Sequence, residues 1–114
     1  MVAPAAGAVV LVRFPFSDLS KTKLRPAVVL AGAGHGDWVL SQVTSKPYGD
    51  GMAIMLEDAD FAAGSLRVVS YVRPGKLFTA NLDLIVSDVA TLKPHSLKRV
   101  VDAVVDLLCR GGVP

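Results

Sequence analysis

Apolar positions come in short runs through the first two thirds of the chain and then change period. Residues 8–14, AVVLVRF, and 26–31, PAVVLA, are β-branched, apolar runs of the kind that form buried strands. Residues 37–44, DWVLSQVT, alternate in part and give a third strand. MAIML at 52–56, LRVVSYV at 66–72 and KLFTA at 76–80 give a fourth, a fifth and a short sixth. Pro15 stops the first ladder, and SDLSKTKLR at 17–25 reads as a polar loop. GAGHG at 32–36 reads as a hairpin turn, and SKPYGDG at 45–51 as a loop dense in turn residues. EDADFAAGS at 57–65 is a loop with one helical turn, and Arg73-Pro74-Gly75 breaks the fifth strand from the sixth.

Beyond residue 87 the apolar spacing becomes three and four. Leu97, Val100, Val101, Val104, Val105 and Leu108 mark one face of an amphipathic helix, and Gly111 stands where a C-cap glycine ends it. Ser87 and Asp88 are read as the start of a shorter helix near 87–91. Valines are weak helix formers, so packing on the sheet must hold the long helix. The whole predicts a single, mainly β domain over residues 1–114: a small curled antiparallel sheet or barrel with a C-terminal amphipathic helix.

Composition narrows this little. At 114 residues the chain is one small domain, and 52% hydrophobic residues make it a folding chain. No apolar run reaches the roughly 18–20 residues of a membrane span. The apolar N-terminus has no charged leader and reads on into a strand. With a single cysteine, Cys109, no internal disulfide forms, and the expected setting is a reducing cytoplasm.

Charge matters by its placement. Residues 1–48 carry Arg13, Lys21, Lys23, Arg25 and Lys46 against Asp18 and Asp37. Residues 49–92 carry Arg67, Arg73 and Lys76 against six carboxylates. Positive charge therefore gathers in the first hairpin and the C-terminal part, while the middle is acidic.

Several chemistries find no support. AGAGHG leads into a strand, whereas a phosphate-cradling glycine loop must lead into a helix. Glu57, Asp58 and Asp60 lack the spacing of a calcium loop and read as a solvated loop, and His35 and His95 are not in zinc spacing. No metal and no cofactor is expected. Cys109 reads as a buried or half-buried structural thiol, with no base to activate it. Phe14 and Phe16, flanking Pro15, read as hairpin packing, with base stacking as the alternative for a ring that faces outward.

The loop SKTKLR is the sharper signal. In an extended chain Lys21, Lys23 and Arg25 share one face, because side chains alternate with period two. Pro26 biases Arg25 to an extended backbone, and a guanidinium held at a strand entry suits a bidentate phosphate contact. On composition alone, a solvated loop is the favoured reading.

The same residues carry a resemblance. GAVVLVRFPFSDLS (7–20), LRPAVVL (24–30), VLSQVTSK (39–46), DFAAGSL (60–66) and SYVRPGKLFT (70–79), followed by the helix, occur in the order seen in the MazF/PemK family of toxin endoribonucleases, in its PemK-like branch. Nearly the whole chain is covered. The resemblance implies a curled barrel of the SH3-like, CcdB–MazF type. It implies a homodimer, a cognate antitoxin partner, and metal-independent cleavage of single-stranded RNA at short sequences. The family's catalytic arginine and threonine match Arg25 and Thr44, with Ser45 beside the latter. Where the family often has Gly-Asp before the first strand, this chain has Gly7-Ala8.

Metal-free RNA cleavage uses the substrate's 2′-hydroxyl as nucleophile. The protein must then stabilise charge growing on the phosphate. Arg25 suits that role and Thr44 can add a hydroxyl hydrogen bond. The family is described with this arginine in acid–base chemistry, although arginine as a residue type is a poor base. Lys21 and Lys23 are expected to contact backbone phosphates. Ser45, Lys46, Arg73 and Lys76 are further candidates for the RNA groove, and loops 15–23 and 45–51 for reading bases. Two alternatives of the same fold are a protein-directed toxin that poisons a topoisomerase and a non-catalytic RNA binder.

Overall fold

The structure is a computed structural model that describes residues 4–15 and 22–111, the side chains of 14, 15 and 22 aside. Seven strands form one antiparallel sheet. They are β1 (Ala8–Pro15), β2 (Thr22–Gly34), β3 (Asp37–Thr44), β4 (Ile54–Leu56), β5 (Phe61–Gly64), β6 (Ser70–Asn81) and β7 (Ile85–Leu92). Their order across the sheet is β4-β6-β3-β2-β1-β7-β5. Single 3₁₀ turns at Asp58–Asp60 and Leu82–Leu84 precede β5 and β7, and one helix, α1 (Pro94–Arg110), ends the chain. This is the curled, mainly β architecture with a C-terminal helix that the periodicity predicts.

β1 and β2 read as unbroken apolar runs because both faces of the sheet are covered. Val9, Val28, Val43, Val72 and Leu92 pack on one face with Val100 of α1. Val10, Val12, Ala27, Val29 and Leu40 pack on the other, where Trp38 and Phe78 close over them. Ala8, where an aspartate is common in the resembled family, is 6% exposed and part of this second cluster.

Several boundaries differ from the sequence reading. The polar stretch 17–25 is not all loop: β2 begins at Thr22, because Lys23, Leu24 and Arg25 ladder onto Phe14, Arg13 and Val12. At its other end β2 runs on to Gly34. The turn is reduced to His35 and Gly36, both at positive φ, as a tight hairpin demands. The fourth strand is shorter than 52–56, and part of the 57–65 loop is β5, paired with β7 at the sheet edge. Residues 66–69 lie outside any strand.

The fifth and sixth strands are one. β6 passes through Arg73-Pro74-Gly75 as a bulge: its partner on β3 shifts from Val72 opposite Val43 to Leu77 opposite Ser41. Ser87 and Asp88 start no helix. They lie in β7, opposite Leu11 and Val10 of β1.

α1 opens with Pro94 in its first turn and closes on Gly111 in the left-handed conformation, whose N–H donates to the Leu108 carbonyl. Val100 and Val104 are buried, whereas Val105 and Leu108 are exposed. Cys109 is exposed as well, which corrects the reading of a buried thiol. Among the described residues, no helix is long and apolar enough to cross a membrane.

Candidate active site

The site lies where β2 and β3 come apart. Ala27 pairs with Gln42. Two residues further along in the same register come Arg25 and Thr44, which share their strand faces with buried Ala27 and with Leu40. Arg25 is therefore the first polar residue of β2 beyond the core positions Val29 and Ala27 on that face, and it is half-buried. A cleft of about 230 Å³ opens there. Its walls include Arg25, Thr44, Ser45, Leu66, Arg67 and Ser70. The sequence-predicted pair is thus in one cleft, with Ser45 at its rim.

Thr44 is oriented by its own turn. Its Oγ1 accepts from the Lys46 N–H at 3.1 Å and lies 3.1 Å from the Lys46 carbonyl. The N–H occupies one lone pair, which leaves the hydroxyl proton free to swing from that carbonyl to an oxygen in the cleft. Register on the other side places Thr44 opposite Tyr71 of β6. Ser70, buried, donates its hydroxyl to the Val68 carbonyl at 2.9 Å and so holds the 66–70 segment in shape.

The other expected contacts are spread wider. Lys23 is exposed on β2, two residues before Arg25, so the shared face holds for this pair. Lys46 is exposed beside the cleft. Lys21, Phe16 and most of the 15–23 loop lie outside the described residues. Arg73 is not in the cleft lining; its Nε donates to Asp50 Oδ2 at 2.9 Å and ties β6 to the 45–51 loop. That hydrogen bond, with help from the Met52 N–H and against partial burial, holds the Asp50 carboxyl below the usual aspartate value. Lys76 lies by a separate small hollow with Gln42, Leu77 and Phe78.

Asp60 corrects the reading of 57–65 as solvated. It is 8% exposed; its Oδ1 accepts from the Ser96 hydroxyl at 2.7 Å and its Oδ2 from the Glu57 N–H at 2.8 Å. Burial pushes this carboxyl up, but the two donors and the nearby Arg99 charge outweigh it, and it sits below the usual range. Asp60 therefore docks α1 on the sheet. Among the described residues, no cluster of three His, Cys, Asp or Glu is arranged to hold a metal ion.

Arg67 is the residue the sequence reading missed. Its only signal was a cation in an acidic stretch. It comes from the segment between β5 and β6, which lines the cleft together with Val43, Thr44 and Ser45 at the end of β3.

No family model and no curated protein sequence matches the chain. Solved structures do. A MazE-MazF structure from Deinococcus radiodurans aligns over 96% of this chain and 98% of its own, with a TM-score of 0.77 and 21% identity. MazF from the same organism aligns over 96% and 99%, with a TM-score of 0.74 and 23% identity. An endoribonuclease in complex with its cognate antitoxin from a Mycobacterial species aligns over 96% of both chains, with a TM-score of 0.72 and 15% identity. The chain has the fold of the MazF toxins.

Proposed function

We propose that the protein is the toxin of a type II toxin–antitoxin module, a member of the MazF/PemK family, and a metal-independent endoribonuclease acting on single-stranded RNA. The observation that carries this reading is the meeting of Arg25 and Thr44 in one cleft on a MazF fold. The solved relatives are named as endoribonuclease and as toxin–antitoxin pairs, which supports a cognate antitoxin partner here. A homodimer and a cytoplasmic setting belong to the same reading.

The chemistry follows from the lining. The substrate's 2′-oxygen bonds to phosphorus as the bond from phosphorus to the 5′-oxygen breaks. The products are a 2′,3′-cyclic phosphate and a 5′-hydroxyl. Arg25 sets two parallel N–H donors on the non-bridging oxygens, where negative charge grows. Thr44 turns its hydroxyl proton to the same phosphate while it still accepts from the Lys46 N–H. Among the described residues, the lining contains no imidazole and no carboxylate. The 2′-hydroxyl proton therefore passes to water, and the 5′-oxygen takes one from Arg25 or from water. Lys21, Lys23, Ser45 and Lys46 hold the strand by its phosphates, which gives affinity without sequence choice. Arg73 contributes charge from further off.

The test is cleavage of a long single-stranded RNA in excess EDTA by the wild type and by Arg25→Ala, each checked for folding. The expected result is discrete cuts by the wild type, with cyclic-phosphate ends, and a rate lower by about 10²–10³-fold in the variant. Equal cutting by both proteins overturns the role of Arg25. No cutting by either, across several RNAs, overturns the enzyme and points to the protein-directed or non-catalytic alternative.

A further inference from the structure

Arg67 stands apart from most of its neighbours in charge. Arg73, Arg99 and Arg110 each lie against an aspartate: Asp50, Asp60 and Asp106. Arg67 is exposed and, among the described residues, has no ion-pair partner. It also stands at a junction. With Leu66 and Val68 it lines both the cleft of Arg25 and Thr44 and a second, larger cleft of about 450 Å³. The two hollows therefore share a wall, and Arg67 is the charged residue in it.

The second cleft has a different character. Leu56, Phe61 and Leu66 line it with apolar surface, and the exposed side chains of Val68 and Val69 stand along it. Glu57 and Asp58 are on its rim, both exposed. Carboxylates at a rim repel a phosphate, while apolar walls suit the face of a base. A nucleotide entering from the first cleft would leave its phosphate at Arg67 and put its base beyond.

We propose that Arg67 holds the phosphate next to the scissile one, and that the second cleft receives the base of that flanking nucleotide. This rests on the reading of the protein as an endoribonuclease. Arg67 is a positioning residue: it fixes the strand's register so that one particular phosphate meets Arg25.

The experiment uses the full-length protein and a short RNA spanning a mapped cut, with a 2′-deoxy nucleotide at that cut so that it binds without reacting. Affinity is measured against salt for the wild type, Arg67→Ala and Arg67→Lys. Removing one phosphate contact lowers the slope of log K on log salt by about 0.7. Arg67→Ala is expected to show that loss, to bind about five- to tenfold more weakly, and to raise KM far more than it lowers kcat. Arg67→Lys restores the slope. A second RNA with an abasic flanking nucleotide tests the base: it binds more weakly to the wild type if the second cleft is occupied. An unchanged slope in Arg67→Ala, beside Arg25-dependent cleavage by the wild type, overturns the proposal and leaves the enzyme standing. No binding or cleavage of RNA by the wild type overturns both.

Discussion

The hydroxyl of Ser41, fully buried on β3, donates to the backbone carbonyl of Arg73 on β6 at 2.7 Å. That carbonyl sits where the ladder between the two strands slips, at the bulge through Pro74 and Gly75. A bulge leaves a backbone group without its strand partner, and a buried carbonyl must find another. Ser41→Ala removes the donor from that carbonyl. The expected cost is about 1–3 kcal/mol in stability, read as a lower urea midpoint at unchanged slope. A midpoint equal to that of the wild type would mean that the bulge carries its carbonyl without this bond.

Asp60 gives the fold a defined response to acid. Its carboxylate is held below the ordinary aspartate value of about 3.9, so the folded state binds its proton less readily than the unfolded chain does. The stabilisation is therefore present above that value and is lost as pH falls through the lower, folded one. Asp60→Asn should cost about 1–2 kcal/mol at pH 7, because the Ser96 hydroxyl and the Glu57 N–H lose a charged acceptor. The difference between the two proteins should shrink below pH 4. Denaturation of both from pH 7 to pH 3 checks this, and a constant difference across that range would exclude the charge of Asp60 as the cause.

The period-two and period-3.6 signals found the sheet and the helix because both depend on local apolar spacing. What they could not show was the partner of each segment. Ser87 and Asp88 look like a helix start in isolation and are strand only because β1 lies beside them. Arg73-Pro74-Gly75 looks like a break because proline lacks an N–H, yet a bulge with Ser41 behind it absorbs that loss. Arg25 was singled out by its place before Pro26 and then by resemblance, Thr44 by resemblance alone, and period-two alternation explains why they share a face. Arg67 was not found, since an exposed arginine after a glycine-serine turn carries no local mark of the cleft it lines. Val105 and Leu108 fit the helical spacing, but they stand exposed while Leu107, between them, lies against Gly75 of β6.

Gly64 links the fold to the site. It ends β5 at φ +65°, and a Cβ built there runs into the Val89 carbonyl and against Ala90. Gly64→Ala must either move β5 off β7 or change the path of the segment that carries Leu66 and Arg67. The expected cost is about 2 kcal/mol or more, from the left-handed backbone and the clash together. KM for RNA should rise with it even where the protein remains folded. Thermal unfolding and cleavage kinetics on the same preparation separate the two effects; a stable protein with unaltered KM would show that β7 yields to the methyl group.

Thr44 is expected to act through its hydroxyl and not through its shape. Thr44→Ser keeps both the bond from the Lys46 N–H and the proton offered to the cleft, and should stay within a few-fold of the wild-type rate. Thr44→Val keeps the volume and loses both. A hydrogen bond to a charged phosphate gives about 1.5–3 kcal/mol, so the rate should fall by about ten- to a hundredfold. Equal rates for serine and valine would assign Thr44 a packing role alone.

The dependence of rate on pH reports where the 2′-hydroxyl proton goes. The cleft is lined by Arg25, Arg67, Thr44, Ser45, Ser70 and apolar residues, and neither His35 nor His95 is among them. With the 2′-hydroxyl proton lost to solvent before phosphorus is attacked, the rate of bound RNA should climb about tenfold per pH unit from pH 6 to 8, with no levelling near the ordinary histidine value of about 6.5. His35→Ala and His95→Ala should follow the same line. A plateau above pH 6.5 that one of those substitutions abolishes would place an imidazole in the reaction. A rate already level across that range would instead bring in a carboxylate, with Glu57 and Asp58, which line the adjoining cleft, as the candidates among the described residues. A straight line with unit slope leaves catalysis to the positive charge of Arg25 and the hydroxyl of Thr44, acting on a nucleophile that the RNA itself supplies.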